Sequence, residues 1–410
     1  MFRALAGIYA ARTASERGEA HMALPGEGAT RAPLTAKVRI VETAAVTALG
    51  NNLQDIWTRI IKGDSGIGPI QRFPVETYES RIAATISDLC PIQERSIIYS
   101  LIERLLAGLK DVPEDAELIT ATTKLGIDNL EHIRRKKPAR ADDILPSSMP
   151  EMVSKKLGLK KAGINISASC ASSTIAIAQG SAMIASGQTD AVLVCCADVV
   201  TEFTFSGFSS LKIVSPVPCR PFDKDRNGLT LGDGAAALLL MSEKRAKKEN
   251  RTYIATIRGW GIANDAFHIT SPAQDGSGLV AAIEKALARG GLQRDHISAI
   301  SAHGTGTIYN DLMELTAFNR VFRGRTLPVY SVKGSTGHTV GAAGGIEVAL
   351  ATKILAAQTV PPTVGFQNPE EGAEGRVSSK PVSLNGDYIL TSNSGFGGIN
   401  AAIVLERAYK

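Results

Sequence analysis

The sequence predicts an α/β fold built in layers, with the same grammar written twice along a chain of 410 residues. Three observations carry this. From Val38 onward, short apolar runs of strand length alternate with segments of helical periodicity, as a layered α/β domain requires. Asp190–Ala197 is apolar with no polar alternation, the signature of a strand covered on both faces. Two helical segments, Ala171–Gly187 and Gly341–Ala356, are so rich in small and apolar residues that they belong in the interior.

In chain order, Val38–Val41 and Glu117–Thr122 read as strands, being short, β-branched and bounded by polar residues. Asn51–Ile61 reads as an amphipathic helix, because Leu53, Ile56, Trp57 and Ile60 recur at helical spacing. Ala162–Ser167 is a strand that leads into Cys170 and the small-residue helix behind it. The second half starts with the strand Tyr253–Gly261 and the helix Gly278–Arg289. Ile297–His303 and Pro328–Lys333 are strands that end in turns rich in Gly and Thr. Tyr388–Thr391 and Ala401–Leu405 close the chain as a hairpin around Gly395–Gly398. The pattern divides the chain into residues 37–252 and 253–410, with little sequence identity between the halves.

Residues 1–36 differ in kind. They are rich in Ala, Arg, Gly and Glu, and Pro25 and Pro33 interrupt any helix. Met1–Arg12 has a faint amphipathic, transit-like pattern, but Glu16, Glu19 and Glu27 are the acids such segments avoid. The expectation is a mobile tail or a start set too early, with Met22 as a candidate start.

Composition excludes several classes. Hydrophobic residues at 44% and charged residues at 21% are those of a globular enzyme. A net charge of +5 and only 5% aromatics do not make a nucleic-acid surface. Five cysteines, an odd count with no CxxC pair and no secretory signal, point to a reducing, cytoplasmic compartment and away from structural zinc. Cys195 and Cys196 read as buried strand residues. No apolar stretch is expected to span a membrane. Basic runs at Arg134–Lys137 with Arg140, Lys155–Lys161 and Lys244–Lys248 are the places where an acidic partner would dock.

Three segments carry chemistry: Ile166–Ser173 around Cys170, Ser301–Thr307 around His303, and Lys333–His338. Cys170 lies where a strand hands over to a helix, so free N–H groups and the helix dipole favour its thiolate. Ala168, Ser169, Ala171 and Ser172 leave room for a thioester carbonyl. A lone cysteine is most often inert, and a lone histidine structural; the two Gly-rich histidine turns are what make this set a site. Neutral imidazoles there would donate to a thioester oxygen. Neither histidine has a partner at metal-ligand spacing. Lys333, with Asp311, Glu314 and Glu347, stands among Gly, Ala, Ser and Thr, which argues for burial and hence for pairing. His21, His132, His268 and His296 are otherwise read as structural.

Together these segments closely resemble the active site of the elongating β-ketoacyl-acyl carrier protein synthases, and the flanking sequence agrees from about Val38 onward. The resemblance implies a thiolase-like fold: two βαβ halves in a five-layer α-β-α-β-α sandwich. It implies a dimer, with itself or a related subunit, and an acyl carrier protein as partner. No cofactor is implied beyond the phosphopantetheine the carrier brings. It implies that Cys170 is the nucleophile, that His303 and His338 serve decarboxylation, and that Lys333 pairs with the acids. Thr305 and Thr307 would hold the pantetheine arm, with His268, Thr270 and Ser271 at its entrance. Phe396 would lend its N–H to an oxyanion hole while its ring gates the acyl pocket. Here the chain departs from the family: Asn393-Ser-Gly-Phe-Gly-Gly-Ile-Asn400 is one residue short, with Ile399 in place of Thr. The block Arg220–Gly234 reads as structural. Shortened segments at Ser215–Cys219 and Lys124–Pro150 point to a specialised, polyene-type product. The rivals are a thiolase, a starter-type synthase, and a chain-length partner that has lost its nucleophile.

Overall fold

The computed structural model describes residues 37–409. The expected tail and His21 lie outside the described residues. Ten strands form the main sheet, and numbered in chain order they are β1 (Val38–Thr47), β2 (Glu117–Ala121), β3 (Ile164–Ile166), β4 (Ala191–Asp198), β5 (Gly234–Ser242), β6 (Ala255–Asn264), β7 (Ile297–Ser301), β8 (Val329–Tyr330), β9 (Tyr388–Gly395) and β10 (Ile399–Arg407). Their spatial order is β8-β7-β9-β10-β6-β1-β5-β4-β2-β3.

The two ends of that order mirror each other. In the first half β2 pairs in parallel with β3 and β4, while β5 runs antiparallel to β4 and β1. In the second, β7 pairs in parallel with β8 and β9, while β10 runs antiparallel to β9 and β6. Within the main sheet, Val38–Ile40 pairs with Ala255–Ile257 and joins the halves. The helices used below are α1 (Ser172–Ala185), α2 (Glu202–Ser210), α3 (Ser277–Gly290), α4 (Ile308–Phe322), α5 (Lys333–Thr336) and α6 (Ala343–Ala357). α1 follows β3, and α5 and α6 follow β8, so these helices hold equivalent places in the two halves. α1 and α6 pack on each other and touch strands of both halves, whereas α3 and the helix Ile97–Leu106 cover outer faces. The layers are therefore helix, sheet, helix, sheet, helix.

Alternation explains why β4 has no polar face. Val192, Val194 and Cys196 join the inner core with Ile177 and Leu350, while Leu193, Cys195 and Ala197 join an outer core with Ile98 and Leu101. β5 was not announced by periodicity, because Ala235-Ala-Ala has helical propensity. Pairing on both edges and burial of every residue override that propensity.

The structure departs from expectation in three further places. The strand expected over Pro328–Lys333 is only Val329–Tyr330, and Lys333 opens a short helix instead. The closing hairpin is longer than expected, since cross-strand pairing runs out to Gly395 and Ile399. Finally, Val340–Ala357 is long and apolar enough to cross a membrane, at 18 residues and mean hydropathy 1.5, but it is 83% buried. Inward-facing Glu347 and the cover from both sheets make it a core helix.

α1 and α6 meet through glycine. A Cβ on Gly344 would lie 1.9 Å from Thr174 Oγ1, and one on Gly345 would lie 2.4 Å from Cys196 Sγ. Gly344→Ala should therefore cost about 1–3 kcal/mol by overpacking, read as a lower unfolding midpoint. An unchanged midpoint would show that the inner helices can move apart freely.

Candidate active site

Cys170 lies between β3 and α1 and is buried. The turn before it is tight: Ser169 has a left-handed φ of 49°, Ser172 Oγ donates to Ser169 O at 2.6 Å, and Ala168 N–H donates to Ser172 Oγ at 2.8 Å. Ala171 caps α1 without a side-chain acceptor, and the Ala171 and Ser172 N–H groups donate back to Ala168 O and Ser169 O. His338 holds the equivalent place in the second half, between α5 and α6. Its backbone is pinned to the Arg220–Gly234 block: His338 N–H donates to Thr230 O at 2.6 Å, and Gly232 N–H to His338 O at 3.0 Å. The structural reading of that block acquires a physical basis here.

The ring contacts set the tautomers. Val340 N–H donates to His338 Nδ1 at 3.3 Å, which leaves the proton on Nε2, 3.1 Å from Cys170 Sγ. His303, two residues past β7, packs edge-on against His338 with ring centroids 5.1 Å apart. Burial pushes both imidazoles well below their ordinary range, and the charge on Lys333 pushes the same way. Both rings are neutral donors at physiological pH. Burial pushes the Cys170 thiol up to about 11, although Lys124 and Lys333 pull it down.

The acids divide the work. Lys333 Nζ donates to the His303 carbonyl and, at 2.5 Å, to Glu347 Oε1. Burial raises Glu347, and Lys333 draws it back. Asp311 and Glu314, on α4, are not direct partners of Lys333. Glu314 accepts from His303 N–H at 2.7 Å and Gly304 N–H, while Asp311 accepts from Thr305 N–H at 3.0 Å and Phe222 N–H. Burial, followed by the charge on Asp311, pushes Glu314 up to about 8. These two carboxylates build the Gly/Thr turn that presents His303.

One cavity of roughly 260 Å³ opens onto Cys170, His303 and His338. Thr305 and Thr307 line it, with their hydroxyls 2.8 Å apart, as do Thr270, Ser271 and Phe396. His268 does not line it; its exposed ring instead accepts from Thr270 N–H and Ser271 N–H, both at 3.1 Å, and holds their turn. Phe396 tips the β9–β10 hairpin and stacks on Phe208 of α2 at 5.8 Å. The shortened turn is tethered: Ser169 Oγ donates to Phe396 O at 3.0 Å, Gly397 N–H to Ile269 O at 2.7 Å, and Asn264 Nδ2 to Gly397 O at 2.8 Å.

The polar atoms of Cys170, His303 and His338 converge within 4.8 Å, a potential metal set that sequence spacing did not announce. In this structure the set is closed on itself: His338 Nε2 faces Cys170 Sγ at 3.1 Å, and the His303 ring packs edge-on against that of His338.

The comparisons decide the family. The profile described as "Beta-ketoacyl synthase, N-terminal domain" matches residues 119–246, and "Beta-ketoacyl synthase, C-terminal domain" matches residues 254–367. This chain belongs to the β-ketoacyl synthase family. It is 31% identical to the 3-oxoacyl-[acyl-carrier-protein] synthase 2 of Vibrio cholerae, over 90% of this chain and 99% of that protein. The enzyme of the same name from Coxiella burnetii is 29% identical over 91% of this chain and 99% of that one. Among solved structures, the ishigamide ketosynthase/chain length factor superposes with a TM-score of 0.84 at 25% identity, over 92% of this chain and all of that chain, 100%. The ketosynthase ApeO in complex with its chain length factor ApeC, from Xenorhabdus doucetiae, gives 0.78 at 26% identity over 92% and 99%. Membership of the β-ketoacyl synthase family accounts for the thiolase-like layers.

Sequence reasoning missed Asn393 as a site residue, although it opens the hairpin motif, and it missed Asp198 and Phe208. Asp198 accepts from Thr122 Oγ1 at 2.9 Å and Gly341 N–H at 2.8 Å, tying β4 to the start of α6. A single polar residue ending an apolar strand was its only signal.

Alkylation of Cys170 by iodoacetamide should rise roughly tenfold per pH unit up to about pH 10, because the buried group rests as the thiol. His338→Ala removes the Nε2–H donor to sulfur and should slow alkylation at every pH. A rate flat from about pH 6 upward would mean a resting thiolate and overturn this assignment.

Proposed function

We propose that the chain is a β-ketoacyl-acyl carrier protein synthase that extends an acyl chain by decarboxylative Claisen condensation. The observation that carries this is the convergence of one thiol and two neutral imidazoles at the base of one cavity. In the first half-reaction, Cys170 sulfur bonds the acyl carbon, the carrier's sulfur–carbon bond breaks, and the proton passes to the departing pantetheine thiol. His338 Nε2–H, 3.1 Å from the sulfur, stabilises the negative charge formed on the way. Acylation makes that sulfur a poor acceptor, which frees His338 to turn to the next substrate.

Malonyl carrier protein then enters. Its carbon–carboxyl bond breaks, CO₂ leaves, and the electron pair becomes an enolate whose oxygen takes hydrogen bonds from His303 and His338. The enolate carbon attacks the acyl-Cys170 carbonyl, the sulfur leaves, and one proton from water restores the thiol. Thr305 and Thr307 hold the pantetheine arm. The N–H groups of Cys170 and Phe396 serve the oxyanion: among the described residues no acceptor takes Phe396 N–H, and a Cβ on Gly395 would come within 3.1 Å of Cys170 N. The reaction requires no resident cofactor, only the carrier's phosphopantetheine. Cys170 with both histidines argues for the catalytic subunit over a chain-length partner or a thiolase.

The matching strand order supports reading residues 37–252 and 253–410 as the two halves. β3, at the sheet edge with Ile164 54% exposed, supports a dimer with a copy or a related subunit. The run Arg134–Lys137 is anchored by Arg135 to Glu202 of the pocket-lining α2, which supports it as the dock for an acidic carrier protein. The runs at Lys155–Lys161 and Lys244–Lys248 are largely engaged in ion pairs with Glu103, Glu114, Glu117, Asp115 and Glu243. Five free cysteines support a reducing, cytoplasmic setting. A specialised product remains the reading of the two shortened segments.

Incubation with acyl carrier protein should add the acyl mass to wild-type protein and not to Cys170→Ser, with condensation abolished in that variant. His303→Ala should spare loading and impair malonyl decarboxylation, while His338→Ala should slow both. Condensation by Cys170→Ser, or two equally damaged histidine variants, would overturn the roles.

Phe396→Ala should change which acyl chains load more than it slows the preferred one, because the ring closes the pocket against Phe208 while the backbone donor survives. Short, long and rigid unsaturated acyl carriers provide the comparison. An equal fall for all three would remove Phe396 from the gate.

A further inference from the structure

Asn393 sits inside β9, fully buried, where four parts of the active site meet. Its Oδ1 accepts from Thr174 Oγ1 on α1, the helix that carries the nucleophile. Its Nδ2 donates to Glu347 Oε2 at 2.8 Å and faces His303 Nδ1 at 3.2 Å. The carboxylate settles the orientation of the amide, since a carbonyl oxygen turned toward Glu347 would meet a second acceptor. The space is closed as well: a Cβ on Gly344 would stand 2.7 Å from Asn393 Oδ1. With one Nδ2 hydrogen committed to Glu347, the other points at the His303 ring.

We propose that Asn393 is a positioning residue that locks His303 in the Nε2–H tautomer required for enolate stabilisation, with the Lys333–Glu347 pair holding Asn393 in place. His338 obtains its tautomer from a backbone N–H, that of Val340. No backbone donor reaches His303 Nδ1 among the described residues, so a side chain does this work. The inference rests on the condensing reading for its consequence, but the tautomer itself can be measured without substrate.

The experiment uses the full chain with ¹⁵N-labelled histidine, His303→Gln for assignment, and the two half-reactions measured separately. Wild type should show the proton of His303 on Nε2. Asn393→Asp keeps the shape and replaces the donor with an acceptor, so the proton should move to Nδ1. Decarboxylation should then fall about 10²-fold at neutral pH while acyl loading stays within about threefold. Lowering the pH protonates the introduced carboxylate, returns a donor to Nδ1, and should restore decarboxylation, a rise absent from wild type. Asn393→Ala should lose rate with no such recovery. A wild-type spectrum with the proton on Nδ1 would overturn the proposal. So would Asn393→Asp and Asn393→Ala variants that lower both half-reactions by one factor at every pH. Should wild type neither load Cys170 nor decarboxylate malonyl carrier protein, the condensing reading fails, and the spectrum alone decides the tautomer lock.

Discussion

The buried pair of Lys333 and Glu347 is the constraint around which the site is arranged. Both side chains are almost fully enclosed, and taking two charges out of water is costly unless each finds partners. The partners are what matter for function. Lys333 also donates to the His303 carbonyl, and Glu347 also accepts from Asn393. One ion pair thus fixes the backbone of one histidine, the amide facing its ring, and the helix α6 that follows the other. Its geometry depends on α5, which opens with Lys333 just after the short strand β8, and on α6, which follows His338 and carries Glu347.

The second constraint is dryness. Burial keeps both imidazoles uncharged and the thiol protonated, so these three residues bring no net charge to the cavity they line. Hydrogen-bond donors aimed at a point where negative charge later develops are worth most in such surroundings, because no solvent has to reorganise. The same enclosure explains why the carboxylates Asp311 and Glu314 point away from the cavity. They take up the N–H groups of the His303 turn, Glu314 from His303 and Gly304 and Asp311 from Thr305, while burial raises both acids.

Aromatic packing forms one wall of the cavity. Phe396 rests on Phe208, and a three-residue turn tied to Ser169, Asn264 and Ile269 holds it there. Strand pairing extends almost to the tip of the hairpin, out to Gly395 and Ile399. The Ser169 Oγ–Phe396 O hydrogen bond connects the hairpin tip to the turn before Cys170.

The sequence by itself determined the fold class, and it singled out Cys170, His303 and His338, the three residues that the structure brings together at one cavity. Small residues around Cys170 and glycines beside His303 and His338 are local requirements, and local requirements leave local marks. Periodicity placed most strands because burial on one face or two is written in the residues themselves. Only the tertiary structure decided the rest. β5 was hidden because alanine prefers a helix until neighbours on both edges claim its backbone. The partners of Lys333 were not readable, since Asp311, Glu314 and Glu347 are all acids in small-residue segments and only distance in space separates them. His268 matched a motif, yet its ring turns back to hold its own loop. Asn393 was one polar residue in a strand, and its meaning lies in Thr174, His303 and Glu347, which are 219, 90 and 46 positions away. Contacts of that range depend on how two sheets close over one pair of helices, and no spacing along the chain records it.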